Sequence, residues 1–137
     1  MVYIVNREQV SEEPLLKRDA KSTKVRYLID KRHGANNFYL RIYEIEPGGQ
    51  TPHDQHPYEH EVYILRGRGK LLTMVNDVPT LRDVREGDVV FIAPNQVHQF
   101  SNPNEETFQM LCVRGAEGLG PGTEKAAVEE EGEASSC

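Results

Sequence analysis

Between Asn37 and Val113 the chain never sustains apolar residues at helical spacing, and this restricts its fold more than any other feature. The stretch breaks instead into short runs rich in β-branched and aromatic residues, punctuated by Gly, Pro and Asn. Asn37–Glu46 is the strongest run, with Phe38, Leu40 and Ile42 on one face and Tyr39, Arg41 and Tyr43 on the other. Pro47-Gly48-Gly49 predicts a turn after it. Further strands are expected over Glu59–Leu65, Lys70–Val75, Val78–Val84, Asp88–Ala93, Val97–Phe100 and Thr107–Val113. Upstream, Lys24–Ile29 alternates as a strand should and Val2–Val5 suits an edge strand. Ser11–Pro14 reads as a turn and Asp30–Asn36 as a loop. Short, evenly spaced strands of this kind specify an all-β antiparallel barrel or sandwich.

The 137 residues suffice for one domain. Of the net charge of −6, residues 115–137 hold −5, from six glutamates and one lysine. Residues 1–114 are therefore expected to form the barrel, and 115–137 a flexible, disordered acidic tail. The barrel has no basic surplus, which argues against a nucleic-acid partner. No run is apolar enough to span a bilayer, so no membrane partner is expected either. The start of the chain has no signal-peptide pattern. Cys112 and Cys137 form no spacing pattern, so no disulfide framework is expected. Together these features point to the cytoplasm.

Three of the five histidines, His53, His56 and His60, fall within eight residues, and His98 follows a later Gly/Pro-punctuated strand. Neutral imidazoles gathered this way suit first-row divalent metals. Residues i and i+2 of a strand share a face, so Asp54 and His56 point together, with His60 and His98 arriving from other strands. His53 has the opposite parity and points away unless the backbone bulges, which would make it the alternative first ligand. His33, in a charged loop, reads as solvated. Glu59 and Glu61 read as exposed or salt-bridged. Gln96 and Phe100 share the parity of His98 and are candidate pocket walls. Cys112 is either a small buried hydrophobe or a pocket residue beside the metal. Arg41 projects either inward, as a substrate-carboxylate clamp, or into solvent.

Two motifs give the chain a family resemblance. The first is Gly48, five residues, Asp54-Gln55-His56, three residues, His60, six residues, Gly67. The second is Gly87, six residues, Pro94, His98, three residues, Asn102. In this order they resemble the signature motifs of the cupins, over roughly residues 37–114. The resemblance implies a double-stranded β-helix, a jelly-roll-like antiparallel barrel, of the small single-domain, metal-binding type. It implies one divalent transition metal on Asp54, His56, His60 and His98. Asp54 stands where the family's first histidine usually stands, and His60 where its glutamate does. The phrase His56-Pro57-Tyr58-Glu59-His60-Glu61 resembles small cupins whose metal rests on four histidines. Aspartate is shorter than histidine, so direct and water-mediated contact both remain open.

Imidazole and carboxylate donors without thiolate favour Fe, Mn, Ni, Co, Zn or Cu. The expectation is a metal-dependent, dioxygenase-like oxidoreductase acting on a small oxygen-bearing molecule, with isomerase or lyase chemistry as further options. Alternatives are a non-enzymatic metal- or ligand-sensing barrel and a metal-free structural one. By family analogy a homodimer is expected, with Val2–Val5 as a candidate contact.

Overall fold

The computed structural model describes residues 1–116. They form nine antiparallel strands: β1 (Glu13–Pro14), β2 (Lys21–Ile29), β3 (Phe38–Gln50), β4 (His60–Arg66), β5 (Arg68–Val75), β6 (Val78–Arg85), β7 (Val89–Ile92), β8 (His98–Ser101) and β9 (Phe108–Gly115). The sheet order is β6-β5-β8-β3-β9-β4-β7, with β2 alongside β3 and β1 alongside β2. β3 is the shared strand. Phe38–Ile45 pairs with β9, whereas Gln50 pairs with β8, so one strand carries the sheet around a corner. The resulting curl lays β5, β6 and β8 over β4, β7 and β9, and leaves β6 and β7 unpaired with each other.

The interior is graded from apolar to polar. Along β9, Phe108, Met110, Cys112 and Arg114 alternate inward; along β4, Ile64 and Val62 lead to His60. Phe100 and Leu71 of one limb meet Ile64, Phe108 and Met110 of the other in the apolar half. Each such fully buried side chain stabilises by about 1.5–3 kcal/mol. Gly69 faces the Phe108 ring so closely that a Cβ would overlap it, which lets the ring fill the barrel end.

Three expectations are corrected. Pro47-Gly48-Gly49 does not end its strand: Gly48 takes φ +82° and β3 bends through it. The bent backbone is held by Gly48 N–H to the Asn102 carbonyl at 2.8 Å and Asn102 N–H to the Gly49 carbonyl at 3.0 Å. Glu13–Pro14 is a short strand on β2 rather than part of a turn, with Leu15 buried just after it. Val2–Val5 forms no strand, because no neighbouring edge takes up its backbone groups, and Val2 and Ile4 are exposed.

Gly115 completes β9, and Ala116 is buried with its N–H donating to the Asn37 carbonyl. The acidic segment expected as a tail lies, from residue 117 onward, outside the described residues. No helix among the described residues is long and apolar enough to cross a membrane.

Candidate metal centre

Two strands begin with a histidine at the polar end of the barrel: His60 opens β4 and His98 opens β8. The loop joining β3 to β4 supplies Asp54 and His56. Asp54 pairs with His98 through two backbone hydrogen bonds of 3.0 and 2.9 Å, which stitches this loop to β8. All four side chains are buried. The rings of His56, His60 and His98 stand 5.2–5.6 Å apart, and one nitrogen from each lies within 4.8 Å of the others.

Protonation favours these nitrogens as ligands. His98 Nδ1 lies 2.8 Å from the Gln96 carbonyl, which can only accept, so Nδ1 carries the hydrogen and Nε2 keeps its lone pair. His60 Nδ1 lies 3.8 Å from Cys112 Sγ, and His60 Nε2 is buried with no hydrogen bond. Burial holds the His60 imidazole well below the usual histidine range, helped by His98, His56, Arg41 and Arg114. His60 is therefore neutral near pH 7. A buried acceptor left unbonded costs about 1–3 kcal/mol, a cost that a cation at this point would offset. The donor chemistry and the orphaned nitrogen both fit a divalent transition metal.

Asp54 has further company. Its carboxylate is ion-paired with Arg18, lies 3.9 Å from Lys17 Nζ, and sits 3.6 Å from His56 Nε2. Both cations come from the segment ahead of β2, which nothing in the local sequence connects to residue 54. Sequence reasoning missed them for that reason. It also missed Tyr58 and Arg114. Tyr58 stacks on His56 at 4.9 Å with the rings 8° from parallel, and Arg114 donates to the Tyr58 hydroxyl at 2.9 Å. The signal for Tyr58 was its place between two ligand candidates; for Arg114 it was parity with Cys112.

The remaining candidates separate by direction. His53 is exposed, its N–H donating to Asp19. Arg41 projects inward, is buried, and donates to the Tyr43 hydroxyl at 3.0 Å. Phe100 packs on Phe108 in the apolar half. Cys112 is buried beneath His60, whereas Cys137 lies outside the described residues. Gln96 donates to Thr73 and to the Met74 carbonyl and lines a cavity of about 500 Å³ that reaches His98. The Glu61 carboxyl is pushed up to about 7 by burial and by the neighbouring Glu59 carboxyl.

A curled antiparallel sheet with imidazoles clustered at one end places the chain among the small β-barrels that carry a polar site inside. The family described as Cupin domain matches residues 41–114, more than half of the chain. The chain belongs to the cupin family. It is 37% identical over 78 residues to the 1-methylthio-D-xylulose 5-phosphate methylsulfurylase of Rhodospirillum rubrum, a match covering 57% of this chain and 47% of that protein. The match thus spans about half the length of that relative. The polyketide cyclase RemF from Streptomyces resistomycificus superposes with TM-score 0.75 and 33% identity, covering 85% of this chain and 81% of that one. A cupin 2 conserved barrel domain protein from Rhodopseudomonas palustris does so with TM-score 0.68 and 28% identity, over 79% and 72% of the two chains.

Proposed function

We propose that this chain is a divalent-metal-dependent cupin enzyme acting on a small oxygen-bearing molecule, with His56, His60 and His98 as ligands and Asp54 beside them. The observation that carries the reading is the set of three buried imidazoles converging within 4.8 Å, one with an orphaned Nε2, with an open cavity reaching His98. When bound, a divalent cation supplies Lewis-acid polarisation of a substrate oxygen.

The chain's own residues do the rest. The Gln96 carbonyl fixes the His98 ring, and the Tyr58 stack fixes His56. Two buried guanidinium groups, Arg41 and Arg114, make the interior positive and favour a substrate oxygen that gains negative charge. The enzyme names of the methylsulfurylase and cyclase relatives support catalysis over sensing. The same donor set leaves coordination positions open, which supports dioxygenase-like oxidoreductase chemistry as the second reading; turnover under air and under argon separates the two.

Elemental analysis tests the proposal on the full chain, purified without chelator or affinity nickel, beside His56→Ala and Asp54→Ala. Near one metal per chain, lost in His56→Ala, is the expected result. A parent chain that stays metal-free after reloading overturns it. The proposal includes a cytoplasmic homodimer. Exposed Tyr63, Val89 and Phe91 on the outer face of β4 and β7 support association, and light scattering reads it directly.

A further inference from the structure

The cavity that ends at His98 opens along the unpaired seam between β6 and β7. Its walls near the core are apolar, from Leu71, Val84 and Ile92. Gln96 and His98 close the inner end, and Arg82 stands on the exposed rim. Two carboxylates share this rim, and both are already engaged. Asp83 is bridged by Lys70 at 2.6 Å, and Asp88 accepts from the Arg85 backbone N–H at 2.8 Å. Among the described residues the Arg82 side chain makes no hydrogen bond and no ion pair. Arg41 and Arg114, by contrast, are held in the barrel wall by Tyr43 and Tyr58.

We propose that Arg82 is the recognition group for an anionic substituent of the substrate, a carboxylate or a phosphate, whose reacting end lies at the histidine cluster. A planar guanidinium with unused donors matches either oxyanion in a two-point contact. The register fixes the reach. Arg82 pairs with Leu71 of β5, which pairs with Phe100 of β8, so Arg82 lies two strands from the strand that carries His98. Two interstrand spacings make about 10 Å across the sheet; Thr80 is the β6 residue level with His98, and Arg82 lies two residues further along, about 7 Å, so the span is about 12 Å. The substrate is therefore an elongated, amphiphilic anion with an oxygen-bearing head and an apolar middle matched to Leu71, Val84 and Ile92. This inference rests on the proposed metal-centred activity for the identity of the far end, but not for the anion site itself.

Calorimetric titration of inorganic phosphate onto the full chain, both as purified and after chelation, tests it against Arg82→Ala and Arg82→Lys. Metal content is measured on the same samples. Phosphate binding should weaken about fivefold in Arg82→Ala, the scale of one exposed charge-assisted pair, and recover in part in Arg82→Lys. Metal content should not change. Equal phosphate affinity in the parent and Arg82→Ala overturns the proposal, as does a parent that binds no phosphate. Failure of the metal-centre reading shows up separately, as absent metal with the Arg82-dependent phosphate binding intact.

Discussion

Removing and restoring the metal should move the melting temperature by a predictable amount. A ligand that binds only the folded chain stabilises it by RT ln(1 + [L]/Kd), about 2.7 kcal/mol when the free metal is at a hundred times Kd. For a domain of this size 1 kcal/mol is worth about 4 °C, so the increment is about 10 °C. His60 is the residue with which to test this assignment. It is fully buried, neutral, and its Nε2 bonds nothing else in the described chain. His60→Ala lowers the baseline stability by leaving a cavity, so the readout is the metal increment and not the melting temperature itself. The assay is differential scanning calorimetry of chelated protein with Mn, Fe(II), Co, Ni or Zn added, for the parent and His60→Ala. The expected outcome is an increment of about 10 °C in the parent that falls below about 2 °C in the variant. An equal increment in both chains would refute the placement of the cation among these three imidazoles.

Three further outcomes are expected. Asp54→Asn removes the carboxylate beside buried Lys17, and should lower the unfolding free energy in urea by about 3 kcal/mol; a loss under about 1 kcal/mol contradicts the buried ion cluster. Metal-free protein should weaken in acid, because the folded His60 imidazole is less basic than the unfolded one. Stability from this group is full above about pH 6.5 and falls by up to about 1.4 kcal/mol per unit below it, until the folded form itself protonates. His60→Gln should flatten that slope, and an unchanged slope between about pH 6.5 and 5 argues against the group. Asn102→Ala should cost about 2 kcal/mol in the same urea assay with metal content unchanged, because Asn102 Nδ2 bonds the Ile45 and Glu106 carbonyls at 2.8 and 2.7 Å. A variant as stable as the parent would show that this anchor is dispensable.

The motif residues divide by what they do in space. Gly67, Gly87 and Asn102 are backbone features: two positive-φ turns and one side chain that ties the β8–β9 loop to β3. His56, His60 and His98 are the residues whose spacing made the site legible, because strand parity alone points two of them inward from the first residues of β4 and β8. Parity left His53 open to a bulge, and the structure leaves it exposed. Parity failed at Pro47–Gly49, where local turn chemistry was overridden by backbone hydrogen bonds with Asn102.

Period-two alternation and Gly/Pro punctuation are local properties. An all-β antiparallel barrel or sandwich could therefore be read from the residues alone, while the resemblance to the cupins rested on the two motifs that carry the histidines. Three features could not: which cations meet Asp54, which way Arg41 turns, and that the Arg82 side chain, on the rim of the cavity, bonds nothing among the described residues. They depend on the curl of β3, which brings Lys17 and Arg18 to the loop at residue 54 and leaves β6 and β7 apart. Contacts between segments far apart in sequence carry no local signature, so they exist only once the sheet has closed around them.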